Sequence, residues 1–531
     1  SRMGRAPRGS VRPPWCLSTA LLAVWALLAI VLWPSEPNVL QAFDPAACVP
    51  IERVLWSPHV VTHQYGVTPA LVRVDRSGKI GAVQAASLRE AEQYGRDHGL
   101  PVEPHPGVHI SPGVVDVRVQ VATPGREANG QAFEGFGAGT RAAAAGGVTT
   151  IIDGPFGSKP AALDKHELQL HMRAAATDRL SVNVGFHAGI DRHTARDPLA
   201  LFALAQAGAL GFHVVMSPVH EEMGVEPIDL DAVKAAAEIV ARTGVPLHVR
   251  AELGDEQTLT QLQTQAVFEY EAERTEHVTH FRTRPSEWQT AALRGLAEVA
   301  REVPALRLHA TNIVVADSEA AEALASARAA GGPRFSADTT PHYLAFDAFG
   351  IHPSDTRLKA DPAVRDEENR ERLWGLLGSG QVDMISSDHA PCAEEFRAEG
   401  DFLASWAGVS GLQFLLQATW TEARRHGHDV AKITRWLSEL PAELAGVPSK
   451  GRIEVGADAD LVLWDPGARV RPPHAEYHRL RQSPWANVTL YGRIEETLVG
   501  GVPVFSHGRH TSRYCGAVLL GHSAHTAGAK W

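Results

Sequence analysis

The stretch SPGVVDVRVQVATPGREANGQAFEGFGAGTRAAAAGGVTTIIDGP, from Ser111 to Pro155, decides the fold. From Val114 to Val121, valines alternate with Asp116, Arg118 and Gln120. A strand turns residues i and i+2 to the same face, so these three polar side chains look one way. Val148 to Ile152 forms a second apolar run of strand character. Between the two, Gly139 to Gly147 is rich in alanine, the strongest helix former, and ends in a glycine pair that stops a helix. The whole stretch predicts a strand, a helix and a strand.

The same rhythm repeats outward from it. SVNVGFH, LGFHVVM, PLHVRAEL, LRLHATNIV, RFSADTT and VDMISSD are short apolar runs separated by amphipathic segments, up to about residue 445. Alternation of this kind builds a parallel (β/α) architecture, and a run this long suits a closed eight-stranded barrel with its chemistry at the C-terminal strand ends. The pieces ERVLWSPHVVTHQYG, TPALVRVDRSGKIGAVQ and PVEPHPGVHI before it read as strands and hairpins, not as helices. SKGRIEVGADADLVLWDPGA, Ser449 to Ala468, reads as strands around a turn at Gly456 to Asp460. The charged segment Gly254 to Thr279 is read as a lid over the barrel mouth.

With 531 residues, 44% of them hydrophobic, the chain can bury a large core. A net charge of -11 and a pI near 6.2 argue against a nucleic-acid partner. No phosphate-binding loop, GxSxG elbow or CxxC pair offers other chemistry. Cys16 to Trp33 carries no charge, follows four arginines, and is long enough to span about 30 Å of hydrocarbon. It predicts a membrane anchor or cleaved signal, with the following domain in the lumen of the endoplasmic reticulum or secretory membrane and the mitochondrion as the second choice.

The opening stretch closely resembles the first unit of the cyclic amidohydrolases of the allantoinase type, whose pattern PGxxDxHxH is followed by PGR, EGF and GT-AAAAGG-TT. Pro112, Gly113, Asp116, Pro124 to Arg126, Glu134 to Phe136 and Gly139 to Thr150 stand in it. TTPHYLAF (339–346), TRLKADPAVRDEENRERLW (356–374), SSDHAP (386–391), FLASWAGVSGLQF (402–414) and PAELAGVPSKG (441–451) continue the resemblance. It implies a (β/α)8 barrel at 111–445 and a small β-sandwich built by 45–110 and 446–531, with 1–44 as the basic and apolar leader. It also implies hydrolysis of the hydantoin ring of allantoin in purine and ureide breakdown. Two divalent, zinc-type metals would be held by two histidines, a carbamylated lysine, two further histidines and an aspartate.

Carried over residue by residue, those six ligand positions are Arg118, Gln120, His213, Arg250, Asn312 and Asp388, and the substrate contacts are Gly157 and Arg365. Only Asp388, the proton-shuttling acid, keeps the family residue. A guanidinium has no lone pair to give and stays protonated, an imidazole cannot take up a carbamate, and a neutral amide oxygen is a weak partner for zinc. The expectation is therefore no metal cofactor and impaired catalysis, in a relative that binds a small anionic or ureide ligand. Two alternatives stay open: a working allantoinase with two metals, and a structural subunit in a homo-oligomer or paired with an active paralogue. Whether the chain is an enzyme is open at this point.

Further expectations concern single residues. Arg118 or Arg250 is expected to pair with Asp388, since an acid in the barrel mouth is costly unless compensated. His248, His309, His342 and His389 read as core or hydrogen-bonded histidines. Cys48 and Cys515 sit at the outer ends of the two sandwich segments and are disulfide candidates, with two free thiols weighed equally. Asn487, in Asn-Val-Thr, is a glycosylation candidate.

Overall fold

A computed structural model describes residues 48–121, 134–158, 160–219, 223–269, 272–472, 482–511 and 513–521. The apolar run 16–33 and the PGR motif at 124–126 lie outside the described residues. Five strands open the described chain: β1 (Arg53–Thr62), β2 (Gly66–Val74), β3 (Ile80–Ala85), β4 (Val102–Pro104) and β5 (His109–Pro112). Eight follow in the middle: β6 (Val114–Val119), β7 (Val148–Asp153), β8 (Asn183–Gly189), β9 (Gly211–Met216), β10 (Leu247–Leu253), β11 (Leu308–Thr311), β12 (Phe335–Thr339) and β13 (Met384–Ile385). Four close it: β14 (Leu461–Val470), β15 (Leu490–Val499), β16 (Val502–Ser506) and β17 (Arg509–His510).

β6 to β13 form one eight-stranded parallel sheet in sequence order. The sheet curls until its ends meet. Val119 pairs with His389 just beyond β13, and the Gln120 N–H donates to the His389 carbonyl at 2.7 Å. Strands β6, β7, β8 and β9 are buried along their whole length, as strands covered on both faces must be. On β6, Val115 and Val117 pack outward against Ile152, Ala442 and Ala445. That turns Asp116 and Arg118 inward, the face their spacing predicts. Helices such as Lys165–Thr177, Pro198–Ala207 and Leu230–Val240 alternate with the strands, each started by an aspartate whose side chain accepts a helix N–H.

The two ends of the chain build a separate nine-stranded sheet, ordered β17-β16-β15-β14-β5-β1-β2-β3 with β4 beside β1. Antiparallel pairing of β14 with β5, Leu461 opposite Pro112, joins the halves. Leu55, Val72, Ile110, Leu463 and Leu498 fill its core. Within the first half lies a helix, Leu88–His98, that the strand-and-hairpin reading did not include. Ser87 and Glu90 form a reciprocal capping box at its start, and Gly99 ends it with φ 65°.

Past β17 the chain returns to the barrel. The Val184 N–H donates to the Ala517 carbonyl at 2.9 Å and the Leu519 N–H to the Val184 carbonyl at 2.8 Å. Cys515, at the start of this strap, is disulfide-bonded to Cys48, with Cα atoms 5.4 Å apart. Asn487 is exposed, in the turn before β15. Among the described residues no helix is long and apolar enough to cross a membrane.

Candidate active site

At the C-terminal ends of the barrel strands, Arg118 stands at the centre. It leaves β6 inward and is 4% exposed. Its Nε lies 3.1 Å from Asp388 Oδ1 and its Nη2 3.6 Å from Asp338 Oδ1. Nη1 donates to Asn312 Oδ1, and Nη2 to Ser386 Oγ at 3.4 Å. Asn312 closes the ring by donating from Nδ2 to Asp388 Oδ2 at 2.8 Å. Ser386 Oγ donates to Asp338 Oδ2 at 2.7 Å. Asn312 and Asp388 both sit at strand exits in the left-handed region, with φ of 60° and 48°, a conformation short polar side chains tolerate better than others do.

Charge explains why this ring holds. Burial works to raise the Asp338 carboxyl, but the Arg118 guanidinium and a hydrogen bond from His309 outweigh it and hold the group down to about 2. Burial likewise works to lower Arg118, and the Asp338 and Asp388 carboxylates outweigh that and raise it. One strand position below, Asp116 is fully buried and pushed up to about 6 by desolvation, even though Ser387 N–H donates to its Oδ1 at 3.1 Å.

Above the ring lies a small cavity of about 50 Å³, lined among others by Gln120, Phe156, His213, Arg250, Asp361 and Asp388. His213 stacks on Phe156, ring centroids 5.5 Å apart. Asp361 is compensated by Arg284 at 3.1 Å and His280 at 3.2 Å. Arg250 is 8% exposed and donates from Nη2 to Ser217 Oγ at 2.8 Å, and the Ser217 hydroxyl donates in turn to Glu252 Oε2 at 2.9 Å. Gly157 adopts φ 83°, and a Cβ there would fall 2.8 Å from Gln120 Oε1. Arg365 does not line the cavity; it is buried with its guanidinium 5.2 Å from the Phe281 ring centroid.

Behind the ring, His187, His213, His248 and His309 gather inside the barrel, with centroids 4.2 Å (187–248), 6.3 Å (213–248) and 5.1 Å (248–309) apart. The Nε2 atoms of His187, His213 and His248 are buried without a hydrogen-bond partner among the described residues, while His309 Nε2 faces Asp338 Oδ2 at 3.5 Å. Desolvation pushes His187 down to about 3, and His213 and His248 well below their ordinary value. His389 lies 2.6 Å from Glu134 Oε2. Among the described residues no group of three or more His, Cys, Asp or Glu side chains is arranged to hold a metal ion.

Of the residues singled out from sequence, Arg118, Gln120, His213, Arg250, Asn312 and Asp388 are thus brought together at one strand-end site, with Gly157 beside it. Arg118, and not Arg250, pairs with Asp388. Asp338, Ser217, Glu252 and Ser386 were not singled out. Their one signal is an acid or hydroxyl among apolar residues at a strand end, which period-two counting marks as inward but cannot assign to a partner.

Residues 109–504 match the profile of the Amidohydrolase family. The chain is 33% identical over 530 residues to a probable allantoinase of Oryza sativa subsp. japonica, covering 97% of this chain and 99% of that one. It is 31% identical over 521 residues to an allantoinase of Arabidopsis thaliana (95% and 98%) and 33% identical over 467 residues to one of Streptomyces avermitilis (87% and 97%). Among solved structures, L-hydantoinase (dihydropyrimidinase) from Arthrobacter aurescens superposes with a TM-score of 0.77 at 23% identity, over 88% of this chain and all of that one, and shows the same fold. These findings correct one expectation. The placement in the endoplasmic reticulum or secretory membrane, with the mitochondrion second, rested on the run 16–33 and the arginines before it; relatives named as allantoinases align along 95–97% of this chain, and among the described residues, which do not include that run, no helix is long and apolar enough to cross a membrane. With most of its length inside the family profile and such relatives aligned across nearly all of it, the chain belongs to the amidohydrolase family.

Proposed function

We propose that this allantoinase-like amidohydrolase binds a small ligand at its barrel mouth without hydrolysing it, because an arginine-centred network replaces the metal centre that the family implies. The observation that carries the reading is the position of Arg118, clamped between Asp338 and Asp388 with Asn312 bridging. The side chains present do not fit two divalent ions. The two carboxylates are already engaged by a guanidinium. Gln120 and Asn312 offer amide oxygens, and Arg118 and Arg250 offer none. A divalent ion 4 Å from a guanidinium meets repulsion of roughly 8 kcal/mol at an effective dielectric of 20. His213 supplies a neutral imidazole, but one donor does not make a site.

A second reading is favoured by the comparisons, since the relatives aligned over most of the chain are named allantoinases. On that reading the chain hydrolyses allantoin to allantoate, with a ligand set that differs from the family's. Incubating the purified protein with allantoin, alone and with zinc, manganese or cobalt, separates the two. Absence of allantoate under every condition is expected here; metal-dependent turnover would establish the active enzyme.

A further inference from the structure

We infer that Arg250 makes the cavity at the barrel mouth a receptor for a small monocarboxylate that carries an N–H or O–H donor beside its acid group. The inference rests on the metal-free reading of this site. Three charged side chains line the cavity: Asp361, Asp388 and Arg250. The first is compensated by Arg284, the second by Arg118. Arg250 alone among them has no carboxylate within ion-pair distance among the described residues. It reaches Glu252 only through the Ser217 hydroxyl.

A guanidinium has five N–H donors, and Arg250 uses one of them on a protein side chain. Its Nε is buried with no partner. A buried, unsatisfied charged donor is expensive, so a cavity edge that keeps one is built for an acceptor that arrives with the ligand. The fork of a guanidinium matches the two oxygens of a carboxylate. Charge selects the valence: one negative charge balances Arg250, whereas a dianion would set a surplus charge beside Asp361 and Asp388. Gln120 Oε1, also buried and unpartnered on the cavity wall, supplies the acceptor for the ligand's own N–H or O–H. Phe156, Val215 and Val409 offer apolar contact for the remainder.

Glycolate is the probe. Isothermal titration at constant ionic strength, with chloride as the balancing anion, compares glycolate with acetate, glycolamide and inorganic phosphate, and the same sample is analysed for metal. Five non-hydrogen atoms limit the affinity to a Kd between roughly micromolar and millimolar. The expected result is saturable glycolate binding, weaker acetate binding, and none for glycolamide. Arg250→Gln should weaken glycolate at least about tenfold, and Arg250→Lys, which keeps the charge but not the fork, by less. If Arg250→Gln fails to fold, Gln120→Leu serves, narrowing the difference between glycolate and acetate. No saturable binding, equal binding in Arg250→Gln, or phosphate binding tighter than glycolate overturns the inference while leaving the metal-free reading intact. About two metals per chain in the same sample overturns both.

Discussion

Replacing Arg118 by methionine keeps the unbranched apolar stem of the side chain and removes its guanidinium, and with it the charge and the donors. Two acids then face each other in the barrel without a counter-charge. Asp338 is held down to about 2, below the ordinary 3.8, and that guanidinium is the largest of the groups that lower it against the effect of burial. Breaking a buried ion pair by deleting one partner costs about 3–5 kcal/mol, because the remaining charge stays buried. Unfolding entropy near 2.1 cal/mol/K per residue, over 531 residues, converts that loss into a Tm lowered by about 3–5 °C. Differential scanning calorimetry at pH 7, backed by the urea midpoint, reads it. The double change Arg118→Met, Asp338→Asn should recover part of the loss, since it removes the stranded charge along with its partner. Asp388→Asn should cost less than Arg118→Met, because the Asp388 side chain is 24% exposed and water shares the compensation. A Tm for Arg118→Met within about 1 °C of the parent, or no recovery in the double variant, would refute the buried network.

Other expectations follow from the same structure. Burial holds His187 and His277 down to about 3 and His342 to about 4, below the ordinary 6.5. The unfolded chain therefore binds protons that the folded one refuses, and stability is full above pH 6.5 and falls as pH drops toward 3. Asp116, pushed up to about 6, works the other way between 3.8 and 6, but it is one group against three. The urea midpoint should fall by an amount worth several kcal/mol from pH 7.5 to 5, at about 1.4 kcal/mol per pH unit for each such group, and a flat profile would contradict this. Cys48→Ser removes the link between the terminal strap and β1, and should lower stability by about 2–4 kcal/mol and open residues 513–521 to hydrogen exchange first. Gly157→Ala meets both a left-handed φ and Gln120 Oε1, so a loss of about 1–2 kcal/mol and weakened ligand binding are expected; binding equal to the parent would place Gly157 away from the ligand.

Much of the barrel was legible because its strands are covered on both faces and therefore read as short, mostly apolar runs. Local order was legible too, down to Asp116, Arg118 and Gln120 sharing one face. The helix Leu88–His98 escaped, although Ser87-Leu88-Arg89-Glu90 carries the capping-box spacing, because the strand pieces on either side dominated the reading. Partner choice was not legible. Arg118 and Arg250 are equivalent cations on paper, and only the register of β9 beside β10 hands Arg250 to Ser217 and leaves Arg118 to the acids. Asp338 lies 220 residues from Arg118 in the chain, a distance over which no periodicity speaks. Of the four clustered histidines, His248 and His309 were read singly as core residues, His213 as a replaced ligand position, and His187 was not singled out; their clustering is a property of four adjacent strands that no single strand displays.

The central claim is that a guanidinium stands where the family's metals would. Elemental analysis of protein purified without chelator, then equilibrated with zinc and desalted, tests it most directly. The account predicts far less than one zinc, manganese, iron or cobalt per chain, and no zinc-dependent rise in Tm. About two tightly held metals per chain would contradict it.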